Sequence, residues 1–185
     1  METYISLLRG INVSGQKKIK MSDLLNLYNE LGFINVKTYI QTGNVLFQTD
    51  EKDLSKISNM IQNKIKEIYE FEVPVIIRKN NEISTILKNN PFLEQENLDI
   101  SNVYITFLNQ NPLEEKVTKM TYCRGKELNY EPDKFIINEK EIYIYCSNGY
   151  GQTKLTNNFF ENKLKVIATT RNLKTLNNLL EIGKL

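Results

Sequence analysis

The chain of 185 residues is 41% hydrophobic and 25% charged, with 8 Gly and 4 Pro. This is an ordinary globular composition, long enough for one large domain or two small ones, and it can bury a core without disulfides or structural metal. Twenty-four Lys and Arg against 22 Asp and Glu leave a net charge of +2, too small to hold nucleic acid or a membrane by bulk charge.

The chain has no His and 2 Cys. Ser-His-Asp and Cys-His catalysis, HExxH sites, His-containing zinc sites and all-cysteine zinc sites are therefore excluded within it. A Mg²⁺ site built from carboxylates stays open in principle, but no tight acidic cluster marks one, and no metal or cofactor is assigned. The N-terminus lacks a basic region followed by an apolar core and a cleavage site. No apolar run nears the ~20 residues of a membrane span, and Cys123 and Cys146 lack CxxC spacing. The expectation is a cytoplasmic protein with no membrane association.

Tyr4-Ile5-Ser6-Leu7-Leu8 reads as a buried strand that stops at Arg9-Gly10. A polar loop with two glycines follows, then Lys17, Lys18 and Lys20, then a helix whose N-cap and first-turn acid are read as Ser22 and Asp23. Leu24, Leu27, Tyr28 and Leu31 recur at helical spacing, and Gly32 ends the helix. Residues 36–40 and 45–47 form two strands joined by Gln41-Thr42-Gly43-Asn44, a hairpin connection in which the glycine supplies positive φ. A long helix spans 50–70, with Leu54, Ile57, Ile61, Ile65 and Ile68 on one face, and residues 73–78 return as a strand. Residues 82–88 form a short connecting helix, broken by Asn89-Asn90-Pro91.

The second half repeats the order: strand 103–108, helix 112–122, a short irregular strand at 126–130, strands 135–137 and 142–145, helix 153–165, strand 166–168, helix 172–182. Each half reads β-α-β-β-α-β, so the fold class is α+β with two ferredoxin-like subdomains, residues 1–88 and 89–185. No residue-level repeat accompanies the repeated order.

Charge is uneven along the chain. Residues 5–20 hold Arg9, Lys17, Lys18 and Lys20 and no acid; residues 91–141 hold six Lys/Arg against ten Asp/Glu; residues 150–185 hold six against two. The basic segments contain three junctions read as loop-to-helix: Arg9 to Lys20, Ser147 to Lys154, and Thr169-Thr170-Arg171-Asn172. At such junctions free N–H groups and the positive helix end favour an anion, and Arg9, Lys154 and Arg171 can add charge-assisted bonds. Neither Gly10-x-x-x-x-Gly15 nor Gly149-x-Gly151-x-x-Lys154 completes a P-loop, because both lack GK[ST]. Tyr143 and Tyr145 share a strand face, with Tyr104 nearby, but the K/R-G-F/Y pattern of base-stacking sheets is missing and packing is the preferred role.

Leu8-Arg9-Gly10-Ile11-Asn12-Val13-x-Gly15, Lys20-Met21, Gly32-Phe33 and Val36-x-Thr38-Tyr39-Ile40-Gln41-Thr42-Gly43-Asn44-Val45 resemble the bacterial family DUF1697, as does the closing Ala168-Thr169-Thr170-Arg171-Asn172-x-x-Thr175. Thr42 stands where many members carry Ser. The resemblance implies two ferredoxin-like subdomains and no activity. By position it marks Arg9, Gly10, Asn12, Gly15, Lys20, Gln41, Gly43, Asn44, Thr170, Arg171 and Asn172 as signature residues. The combined expectation is a small anionic ligand, phosphorylated or nucleotide-like. Arg9 and Arg171 would contact the anion, and Asn12, Gln41 and Asn44 would orient it. Catalysis without His would fall to Asp, Glu, Lys or Tyr. A nucleic-acid-binding module, unsupported by net charge, and an interaction scaffold without a small-molecule site are the alternatives. Oligomeric state is not legible.

Overall fold

Strand order follows from the way each half pairs its first and third strands at the centre. The computed structural model describes residues 1–95, 98–123, 126–127 and 130–184, and of residues 122, 123, 126 and 127 the backbone alone. The first six elements are β1 (Glu2–Leu8), α1 (Met21–Glu30), β2 (Ile34–Tyr39), β3 (Asn44–Thr49), α2 (Leu54–Tyr69) and β4 (Val75–Lys79). Their sheet runs β2-β3-β1-β4, antiparallel at every pairing. Each helical crossover therefore skips one strand, which is the ferredoxin-like arrangement.

Period-two alternation on β1 decides which side chains meet the helices. Tyr4 and Leu8 point with Val45, Phe47, Val75 and Ile77 toward Leu24, Leu27 and Tyr28 of α1 and Ile57, Ile61 and Ile65 of α2. Phe47 is the hub: its ring centroid lies 4.6 Å from Phe33 and 5.4 Å from Tyr28. Ser6 shares this face. Its hydroxyl donates to the Val45 carbonyl at 3.2 Å, which leaves it to accept from the buried Tyr28 hydroxyl at 2.7 Å. Burial pushes the Tyr28 phenol far above its ordinary value, so it acts as a permanent neutral donor. On the opposite face Ile5, Leu7, Leu46 and Ile76 are buried as well.

The second set comprises β5 (Val103–Leu108), α4 (Glu114–Thr121), β6 (Tyr122–Cys123), β7 (Lys126–Glu127), β8 (Lys134–Asn138), β9 (Glu141–Tyr145), α5 (Asn157–Leu164) and β10 (Ala168–Asn172). Its four-stranded sheet runs β10-β5-β9-β8, again antiparallel, again fourth-first-third-second. β6 and β7 pair separately; the expected strand at 126–130 begins there, and residues 128 and 129 lie outside the described residues. Two further helices, α3 (Asn80–Lys88) and α6 (Leu173–Gly183), follow the fourth strand of each set.

Several element boundaries differ from expectation, three of them at the candidate junctions. The last strand was expected at 166–168 with a loop at 169–172, yet 168–172 is itself the strand. Thr169 and Arg171 pair with Phe107 and Ile105 of central β5, and two β-branched threonines suit that place. The helix expected from 153 starts at 157, because Thr156 caps it through the Phe159 N–H and Thr153 is engaged elsewhere. The N-cap of α1 is Lys20, not Ser22, and no side chain caps it.

By contact the chain divides into Met1–Thr85 with Asn177–Leu185, and Ile86–Leu176. Within the first unit, Asn178 donates to the Tyr39 hydroxyl at 2.5 Å and Lys37 reaches the Ile182 carbonyl at 3.5 Å. Leu179 of the same segment is fully buried. Leu179→Ala is expected to lower stability by about 2–5 kcal/mol in urea unfolding; an unchanged midpoint would show that this segment does not hold the unit together.

Candidate functional site

The opening loop is a miniature hairpin. Leu8 and Arg9 extend β1 by donating to the Gly43 carbonyl at 2.8 Å and the Pro74 carbonyl at 2.9 Å. The chain then turns at Gly10, φ +74°. Asn12 N–H meets the Lys17 carbonyl at 3.2 Å and Gln16 N–H the Val13 carbonyl at 3.0 Å. Ser14 and Gly15 between them both have positive φ, 50° and 75°, the geometry of a primed two-residue turn. Lys17 anchors the returning arm by donating from Nζ to the Glu72 carbonyl at 2.6 Å.

Asn12 ties this loop to the β2–β3 turn. Its Nδ2 donates to the Ile19 and Gln41 carbonyls, both at 2.9 Å, and its Oδ1 accepts from Ile19 N–H at 2.9 Å. The turn is closed from its own side by Asn44, fully buried, whose Nδ2 donates to the Tyr39 carbonyl and the Thr42 hydroxyl. Gly43 is needed twice over. Its φ is +74°, and a Cβ there would lie 2.7 Å from both Leu8 Cβ and Ile11 Cδ1.

Between the two loops and the start of α1 lies a cleft of about 620 Å³, lined among others by Asn12, Gly15, Lys18, Lys20, Met21, Asp23, Gln41 and Tyr69. It gathers four of the residues marked from sequence, Asn12, Gly15, Lys20 and Gln41. Arg9, Gly10, Gly43 and Asn44 do not line it. Lys18 and Lys20 are exposed and, among the described residues, form no side-chain hydrogen bond or ion pair. The first helical bond of α1, Leu24 N–H to Lys20 carbonyl, is 3.0 Å; the N–H groups before it have no intrahelical acceptor. Burial, then the nearby Asp23 carboxylate, raises the Tyr69 phenol above its ordinary value.

Thr170, Arg171 and Asn172 belong to the second unit and sit on β10. The Thr170 hydroxyl donates to Asn157 Oδ1 at 2.7 Å and accepts from Tyr150 at 3.1 Å and from Thr106 at 2.6 Å. Arg171, 8% exposed, donates from Nη1 to the Thr169 hydroxyl at 2.8 Å and the Thr170 carbonyl at 2.9 Å. Asn172 Oδ1 accepts from Thr175 N–H at 2.8 Å and so caps α6. Of the sheet tyrosines, Tyr143 is buried and donates to the Ile86 carbonyl. Tyr104 packs on Tyr150, and Tyr145 on Phe92.

The 147–154 loop lines a second cleft of about 430 Å³ with Tyr130, Glu131, Pro132 and Asp133. Asp133 organises it by accepting from Ser147 N–H, the Ser147 hydroxyl and the Thr153 hydroxyl at 2.9, 3.2 and 2.5 Å. Cys146 is buried and its thiol is pushed up to about 11 by burial, so it is a poor nucleophile. Among the described residues no group of three His, Cys, Asp or Glu is placed to hold a metal ion, and no helix is long and apolar enough to cross a membrane.

Residues 1–143 match the family described as "Protein of unknown function (DUF1697)", and the chain belongs to that family. The match ends before the closing block at 168–175. The chain is also similar to a solved structure, the conserved bacterial protein SP0830 from Streptococcus pneumoniae. That likeness is at 20% identity, covers 98% of each chain, and has a TM-score of 0.72; it carries the fold alone. No curated protein matches the chain.

From sequence, Lys18, Met21 and Asp23 are named without a contact in a site assigned to them, and Tyr69 is given no role. The Lys17-Lys18-x-Lys20 spacing was visible, but which lysine is anchored and which is unpaired depends on the Glu72 carbonyl, 55 residues away. Gly43→Ala is expected to cost about 1–3 kcal/mol in chemical unfolding, since both contacts it would strike belong to the packed joint. A neutral result would mean that the joint is loose.

Proposed function

We propose that the protein binds a small anionic ligand, phosphorylated or nucleotide-like, in the cleft between the opening loop, the β2–β3 turn and the start of α1, and that it does so in the cytoplasm. The observation that carries this reading is a pair of lysines, Lys18 and Lys20, unpaired among the described residues, lining the cleft at a helix start that no side chain caps. An anion there would gain two charge-assisted contacts and the first-turn N–H groups together. Gly15, Asn12 and Gln41 complete the polar lining. The reading rests on Lys18 and Lys20 rather than on Arg9 and Arg171, which do not line this cleft.

A thermal-shift screen of phosphorylated metabolites tests it. A ligand at about 100 times its Kd would stabilise the fold by about 2.7 kcal/mol, a rise of roughly 5–10 °C in Tm for a chain of this size. The Lys18→Ala/Lys20→Ala variant is expected to keep its own Tm and lose that rise. Absence of any ligand-dependent rise in the wild-type protein, or its persistence in the double variant, would overturn the reading.

A further inference from the structure

We infer that the ligand of this cleft is a phosphate monoester bearing a planar ring, of which a nucleoside monophosphate is the fitting class, with its phosphate at Lys18 and Lys20 and its ring at Met21 and Tyr69. The inference rests on the anion-binding reading above and adds the remainder of the molecule.

Size is the first argument. The cleft is open to solvent on one side, but its volume of about 620 Å³ is in the size range of small-molecule sites, and an inorganic phosphate would fill a small part of it. Chemistry is the second. The lining is mixed: beside the two lysines stand the thioether of Met21 and the ring of Tyr69. Tyr69 is half-buried, and its ring packs against Phe71 with centroids 5.7 Å apart and planes tilted by 31°. Met21 and Tyr69 also pack against the core, which holds them in place, so the part of each that lines the cleft offers an apolar contact at little conformational cost, and Met adapts to aromatic partners. The third argument is Asp23, in the same lining and close enough to Tyr69 to disfavour its ionisation. A carboxylate opposes a ligand that is anionic throughout. It accepts hydrogen bonds from hydroxyl or amino groups, which a sugar or a base supplies. Asp23 already accepts from the Ser22 hydroxyl on Oδ1 at 3.1 Å, and a carboxylate has capacity beyond one such bond.

Isothermal titration of the full chain tests this with four probes: ribonucleoside monophosphates, ribose 5-phosphate, a nucleoside and inorganic phosphate, all at one ionic strength. At least one monophosphate is expected to bind roughly tenfold tighter than ribose 5-phosphate, the scale of one base stacked on one aromatic ring. Tyr69→Leu is expected to collapse that ratio toward one while leaving ribose 5-phosphate unchanged. Equal binding of ribose 5-phosphate and every monophosphate overturns the ring while leaving the anion reading intact. A nucleoside binding as tightly as its monophosphate overturns the phosphate placement. No binding by any phosphorylated probe overturns both readings. If Tyr69→Leu does not fold, the wild-type ratio decides alone.

Discussion

The side-chain amide of Asn12 is the constraint on which the N-terminal cleft depends. One residue supplies three hydrogen bonds, two across the base of its own loop and one to the turn between β2 and β3. The amide thus joins the base of the opening hairpin to the neighbouring turn. Gly43 completes the joint from the other side, because only a residue without Cβ lets the turn sit against Leu8 and Ile11. The cleft is what remains open once these contacts are made, with Lys18 and Lys20 beyond the joint.

The two units share a topology and differ in what they do with it. Each places an arginine on its fourth strand opposite an isoleucine of its first, Arg78 against Ile5 and Arg171 against Ile105. In each, Nη1 donates to the carbonyl of the preceding residue, at 3.0 and 2.9 Å. The shared arginine is thus a recurrent feature of the sheet. The loops diverge. The first unit leaves two lysines at the uncapped start of α1, and the second uses Asp133 to hold the 147–153 loop.

Much of the architecture was legible because alternation and helical spacing are local. Tyr4 to Leu8, Leu24 to Leu31 and the isoleucines of α2 announce their elements, and β-α-β-β-α-β twice over leaves few ways to order the strands. Polar strand residues were not legible. Thr169-Thr170-Arg171-Asn172 looks like a loop in isolation and becomes a strand by pairing with β5, which lies more than 60 residues earlier in the chain. The sequence singled out two loops that line the N-terminal cleft, but the roles of their residues come from contacts. Asn12 and Asn44 are joints, Asn172 is a cap, and the Thr170 hydroxyl is engaged by three neighbours. Tyr69 ends a helix whose buried residues, Ile57, Ile61 and Ile65, face the core, and nothing near it in sequence marks it as cleft lining.

The most direct test of the account is a titration of the ¹⁵N-labelled protein with a nucleoside monophosphate, followed through backbone amide shifts. The account predicts saturable shifts centred on Gly15, Lys18 and residues 20–23, with Tyr69 among the residues that respond. Saturable shifts centred on residues 130–155 instead, or no shifts at millimolar ligand, would contradict it.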